Sequence, residues 1–197
     1  MHGLRDLPHI IQIIGLGRSA MFVYCSAMTS AIRILGIDPS LVACGWGVIE
    51  AQGNKLRHID HGVIRPNSKM ELPIRLQTLF ESLCKIITDF DPATAAVEDA
   101  FMKDNPNSAL KLGQARAACV LSATHNGLSV GEYSPRSVKK SVVGTGTASK
   151  AQVAHMMNVL LPGAGVKAGD AADSLAIAIC HAHRVNAAGA LYERFAS

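Results

Sequence analysis

Four carboxylates on three well-separated segments constrain this chain more than any other feature. Asp38 lies in ILGIDPS, Glu98 in AAVEDAF, and Asp170 and Asp173 in GDAADSLAIAI. Asp38 and Glu98 end, or nearly end, apolar runs that read as buried strands, where an uncompensated carboxylate is costly. Taken singly, Asp38 before Pro39 also reads as a turn residue and Glu98 as a core glutamate satisfied by a neighbouring helix; it is the combination that points to segments brought to one point. Oxygen ligands converging from several segments hold hard divalent cations such as Mg2+. Two such ions can flank a phosphodiester and stabilise both the attacking and the leaving oxygen.

Length and composition leave room for that design. At 197 residues, with 49% hydrophobic residues, the chain supports one domain with a real core. Its formal charge of +4 suits an anionic partner without demanding one. The cysteines (Cys25, Cys44, Cys84, Cys119 and Cys180) are odd in number and form no CxxC pair. That argues against a disulfide framework or a zinc site and fits a reducing, cytoplasmic compartment. No apolar run reaches the length of a spanning helix. Residues 1–30 contain HIIQIIGLG and AMFVYCSAM, interrupted by Gln12, Arg18 and Ser19, without the basic start or cleavage site of a secretory signal. They are expected to be an N-terminal extension, disordered or upstream of a native start at Met28. The domain proper is expected over 31–185, with a C-terminal tail at 186–197.

Periodicity predicts strands over Ile32 to Ile37, Gly45 to Glu50 and about Lys55 to Ile64, with AQGN as a turn between the last two. Apolar residues at helical spacing from Glu71 to Phe90 predict a helix stopped by Asp91-Pro92. A fourth strand follows at Thr94 to Glu98, then a helix capped by Asn107 and running to about Asn126, and a fifth strand from Leu128 to Tyr133. Short helices in SPRSVKKSV and from Ser149 to Leu161, and a last one from Gly169 to Arg184, complete an α/β chain. This order predicts a mixed five-stranded sheet flanked by helices, with Asp38 and Glu98 at carboxyl ends of strands.

On a helix, Asp170 and Asp173 share one face about 5–6 Å apart. Two like charges so placed either favour a cation between them or merely complement the helix dipole. Arg136, Lys139, Lys140 and Lys150 form a basic zone around the loop GTGTAS, which reads either as a phosphate-binding surface or as a solvated face. His181 and His183 sit over ~10 Å along the last helix from the acidic pair and read as structural or surface groups.

The segments ILGIDPS…GWGVI, VEDAFM…NSALKLGQARAA, YSPRSVKKSVVGTGTASKAQV and DAADSLAIAICHAH together closely resemble the RuvC-type Holliday junction resolvases, the crossover junction endodeoxyribonucleases. The resemblance covers about Ile32 to His183 and implies a ribonuclease H-like fold. It implies that Asp38, Glu98, Asp170 and Asp173 hold two Mg2+ ions, with Mn2+ as the alternative ion, and that Lys150 and Lys139 serve DNA binding and catalysis. Phe101 matches an aromatic that stacks on bases at the junction centre, a role worth roughly 1–3 kcal/mol per base. The resemblance also implies a homodimer built through the helix near Asn107, and association with a branch-migration helicase complex in recombination and DNA repair. The expected reaction is paired symmetric nicking of four-way DNA junctions by water, leaving 5′-phosphate and 3′-hydroxyl ends.

Three departures stand out. Ser40 replaces the usual glycine after Asp-Pro, Asp99 replaces a neutral residue, and Asp104 adds negative charge to a loop expected near DNA. A non-cleaving junction-binding scaffold is the competing function, disfavoured because all four carboxylates are present. A sugar-kinase-type phosphotransferase would need a second phosphate loop and a longer chain.

Overall fold

β1 (Ile32–Asp38) alternates between two cores. Ile34 packs with one buried cluster, and Leu35 and Ile37 with another on the opposite face. A strand buried on both faces is the expected outcome of a short, nearly unbroken β-branched run. β1 pairs antiparallel with β2 (Cys44–Gln52), and β2 with β3 (Lys55–Ile64), which completes the meander. Gly53, with φ of +54°, makes the β2–β3 turn, a geometry that costs glycine nothing. β4 (Thr94–Glu98) and β5 (Ser129–Tyr133) add in parallel on the other side of β1. The sheet order is therefore β3-β2-β1-β4-β5, the mixed five-stranded sheet that the element order predicts. The computed structural model describes residues 31–99 and 105–196, with side chains described through residue 187. The expectations for residues 1–30, Phe101 and Asp104 lie outside the described residues.

Helices cover both faces. α1 (Leu72–Phe90) places Leu79, Leu83, Ile86 and Ile87 against one face, beside Ala115, Cys119 and Ala123 of α2 (Pro106–His125). α3 (Pro135–Val143), α4 (Lys150–Leu160) and α5 (Asp170–Ala196) cover the other. α5 is the central piece: it touches all five strands, and Leu175 through Cys180 are fully buried. It comes so close to the sheet that a Cβ added at Gly36 would lie 2.0 Å from the Ser174 carbonyl oxygen. No other residue fits there without moving the helix.

Local chemistry fixes the ends. Ser149 and Gln152 form a reciprocal capping box at α4, Ser134 caps α3, and Gly144 closes α3 with φ of +85°. Two boundaries differ from the sequence expectation. The cap of α2 is Asn105, not Asn107, because Pro106 fills the first helical position, where its missing N–H is harmless, and the Asn105 side chain accepts from Ser108 N–H. α5 continues past Arg184 to Ala196, because neither glycine nor proline stands close enough to Arg184 to stop it there. Ser40 shows no positive φ. Its Oγ accepts the N–H groups of Val42 and Ala43, so serine adds two local bonds to the β1–β2 turn.

Candidate active site

The pleat decides where the carboxylates point. Ile34 packs in the α5-side cluster, and alternation puts Gly36 and Asp38 on the same face. On β4, Thr94 bonds His181 of α5 and Ala96 joins the same cluster, so Glu98 follows them. Parallel pairing of Ile37 with Val97 then sets Asp38 beside Glu98 at the ends of neighbouring strands. α5 starts directly above them: Asp170 and Asp173 occupy its first turn, and the Asp170 carbonyl lies 2.1 Å from where a Gly45 Cβ would be. The sheet, the bare backbone of β2 and the helix start thus bring all four expected carboxylates to one place.

Their electrostatics record the crowding. Burial, followed by the charges of Glu98, Asp173 and Asp170, pushes the Asp38 carboxyl up to about 8, with Lys150 opposing. Burial and Asp173 push Glu98 up to about 7, against Lys139 and Lys150. The Lys150 ammonium sits 3.4 Å from Asp173 Oδ2, and the Asp173 charge raises its pKa. Lys139 is half-buried on α3 and Lys150 starts α4, so both expected lysines reach the carboxylates. Arg136 and Lys140 are exposed on α3, and neither contributes to the carboxylate shifts. Arg136 instead lies over the GTGTAS loop, where a Gly146 Cβ would meet its Cγ at 2.5 Å.

Among the described residues, no three acidic, imidazole or thiol side chains are drawn together tightly enough to enclose an ion as they stand. The donor chemistry still fits a hard cation. The donors are four carboxylates without sulfur, partly withdrawn from water, and when all are ionised they carry more negative charge than two lysines balance.

Neighbouring polar groups hold the frame together. Asp99 turns to Arg116, 3.3 Å away, and Glu132 pairs with the same guanidinium, so Asp99 anchors α2 to the sheet and takes no part in the cluster. His181 is buried and far from the acidic turn. Thr94 Oγ1 lies 3.0 Å from its Nε2 and Tyr133 Oη 2.7 Å from its Nδ1, which ties α5 to β4 and β5. Cys44, Cys119 and Cys180 are buried and unbridged, with 3.9 Å between the first two sulfurs.

Known proteins match this chain in both sequence and fold. The family model described as crossover junction endodeoxyribonuclease RuvC matches residues 34–181. The curated protein of that name from Maricaulis maris is 55% identical over 156 residues, 79% of this chain and 93% of its own length. The one from Paramagnetospirillum magneticum is 53% identical over 152 residues, 77% of this chain and 92% of its own. A solved structure described as T. thermophilus RuvC in complex with Holliday junction substrate superposes with a TM-score of 0.74 at 29% identity, covering 80% of this chain and 97% of that one. The mixed five-stranded sheet with flanking helices is the ribonuclease H-like fold. The chain therefore belongs to the RuvC family of crossover junction endodeoxyribonucleases.

Proposed function

We propose that this chain is a divalent-metal-dependent endonuclease that resolves four-way DNA junctions by paired symmetric nicks. The observation that carries this reading is the meeting of Asp38, Glu98, Asp170 and Asp173 at the strand ends, with Asp38 held up to about 8 by burial and its carboxylate neighbours. Such a cluster is stable as a set of anions only with cations among them. Two Mg2+ ions, or Mn2+ in their place, would be held by these four residues and would supply an activated water and charge neutralisation at the scissile phosphate. Asp38, at the centre of the sheet, has the other three carboxylates as neighbours and would be among the residues that hold the ions. Lys150 holds Asp173 in place and adds positive charge where the phosphate must come. Lys139 does the same beside Glu98. Arg136 and Lys140, farther out, suit backbone contacts to the DNA, and Phe101 suits stacking at the junction centre.

A two-fold substrate calls for a two-fold enzyme. α2 offers the surface: Leu110 and Leu121 are 64% and 59% exposed, and with exposed Gly113 and Ala117 they form one small-and-apolar stripe over three turns. We assign it to a homodimer interface. The test is a synthetic four-way junction incubated with Mg2+ and the wild-type chain or Asp38→Asn. Symmetric paired nicks, lost in the variant while binding persists, support the reading. Binding without nicks in either metal would make the chain a junction-binding scaffold.

A further inference from the structure

β3 ends beside the start of α5. Between them lies a cleft of about 370 Å³ whose walls include His61, Val63, Arg65, Lys167, Gly169 and Asp170. His61 and Val63 belong to β3, Arg65 follows it directly, and Lys167 and Gly169 belong to the loop between α4 and α5. The cleft therefore shares Asp170 with the carboxylate cluster and adds basic side chains from two segments that the fold alone brings together.

Those cations are not engaged elsewhere. Arg33, Arg57, Arg75 and Arg116 are committed to Phe90, Glu50, Leu41 and Asp99 respectively. Arg65 and Lys167 are both exposed, and neither has an ion pair or side-chain hydrogen bond among the described residues. His61 is braced from behind, its Nδ1 lying 2.7 Å from His58 Nε2. When His58 donates in that pair, the outer nitrogen of His61 carries the N–H and can donate in turn. A planar fork, a point charge and an N–H donor around one open cleft form a receptor for a tetrahedral oxyanion.

The position in the sheet says which oxyanion. The carboxylates stand at β1 and β4, and Lys139 acts on Glu98 from the β4 side. The cleft lies at β3, on the opposite side of β1. Two strand spacings amount to ~10 Å, a distance bridged by about three nucleotides at the ~3.4 Å rise of a stacked strand and by fewer in an extended one.

We propose that this cleft binds a backbone phosphate of the cut DNA strand next to the scissile one, with Arg65 and Lys167 as charge partners and His61 as a hydrogen-bond donor. The proposal rests on the nuclease reading of the carboxylate site. It makes the strand's path two-sided: Lys139 and Lys150 steady it on one flank of the cut, and the β3 cleft on the other. Asp170 faces both, so its charge is shared between the metal site and the guanidinium rim.

The test measures junction affinity against salt on the Asp38→Asn background, where bound DNA stays uncut. Arg65→Gln/Lys167→Gln should lower the slope of log K against log salt by about 1.4–1.8 for each protomer that engages the DNA and weaken binding more than tenfold near ~0.1 M salt. Arg65→Lys, which keeps the charge, should keep the slope. Lys55→Gln/Lys85→Gln removes the same charge at the far end of β3 and on α1, and should leave affinity within about twofold. A methylphosphonate scanned over about one to three nucleotides from the cut should, at one position, weaken the parent and leave the double variant unaffected. An unchanged slope in the double variant, an equal loss in the Lys55/Lys85 variant, or an equal methylphosphonate penalty in both proteins would overturn the proposal. Thermal unfolding of each variant confirms that the fold is intact. The nuclease reading is judged apart from this, by whether the wild-type chain nicks the junction in Mg2+.

Discussion

At Asp38, burial and three neighbouring carboxylates act in one direction and only Lys150 opposes them. The folded pKa, about 8, lies above the ordinary value of 3.8. The native state therefore binds this proton more tightly than the unfolded chain does, and metal-free stability falls as pH rises between the two values. Glu98 acts in the same sense up to about 7. Without divalent metal, the melting temperature should fall as pH rises toward 8, and Asp38→Asn should flatten that fall and melt higher at its upper end. Calorimetry checks this, and a variant that melts lower than wild type there would contradict it. The same substitution should slow junction cutting by about 10³-fold or more, because groups acting as one catalytic unit fail together. Gel quantification of nicks is the readout. Asp38 and Glu98 are legible in the sequence because a carboxylate ending an apolar strand is too costly to stand there without a compensating partner, and Asp170 and Asp173 because their spacing sets two like charges on one helical face. Arg65, Lys167 and His61 are not. Nothing in their local sequence separates them from ordinary surface charge, and only the fold places a strand end beside a distant loop.

At the scale of elements, the α5–sheet contact governs both stability and site geometry. A Cβ at Gly45 would lie 2.1 Å from the Asp170 carbonyl oxygen, so Gly45→Ala must push the first turn of α5 outward. We expect about 1–3 kcal/mol of destabilisation, measured by denaturant unfolding, and a larger proportional loss of cleavage, because Asp170 moves with the turn. Farther along α5, His181 is held by Thr94 and Tyr133, and burial lowers its pKa from 6.5 to about 4. A depressed histidine contributes stability in full above its unfolded pKa and loses it as pH falls through the folded one. Wild type should thus lose stability between about 6.5 and about 4, and His181→Gln should show a shallower acid limb in the same melting series. In that window His181 opposes Asp38, so the carboxylate limb stands clear only above it. Helical rise alone marks His181 as structural, but its partners come from two other strands and stay hidden until the sheet is assembled. The start of α2 is visible in the sequence, yet Asn105 and Asn107 flank the same proline, and only the helix itself tells which one caps it.

At the scale of the whole molecule, the proposed reading gives the exposed α2 stripe to pairing and the central sheet site to cutting. Leu121→Asp should convert a dimer to monomer in sedimentation at micromolar concentration while leaving the monomer's melting unchanged, since Leu121 is 59% exposed. Paired nicking should collapse to single, unsynchronised nicks, and a variant that stays dimeric would remove α2 from the interface. The mixed sheet and its flanking helices are readable from apolar periodicity, because each element carries its own pattern; the strand order is not, because pairing is settled only by long-range contacts. The length of α5 is not, because its last turns carry no stop signal.

The carboxylates also sit at opposite ends of the polypeptide: Asp38 closes the first strand, while Asp170 and Asp173 open the last helix. That helix supplies the fully buried run from Leu175 to Cys180 against a sheet made entirely of earlier residues. A ribosome emits the chain from the amino end, so a molecule synthesised only as far as β5 carries half of the carboxylate cluster and an uncovered sheet face. On the proposed reading of the site, competence to break DNA would arrive only once this helix is made and docked, so a nascent chain would be harmless to the genome until then.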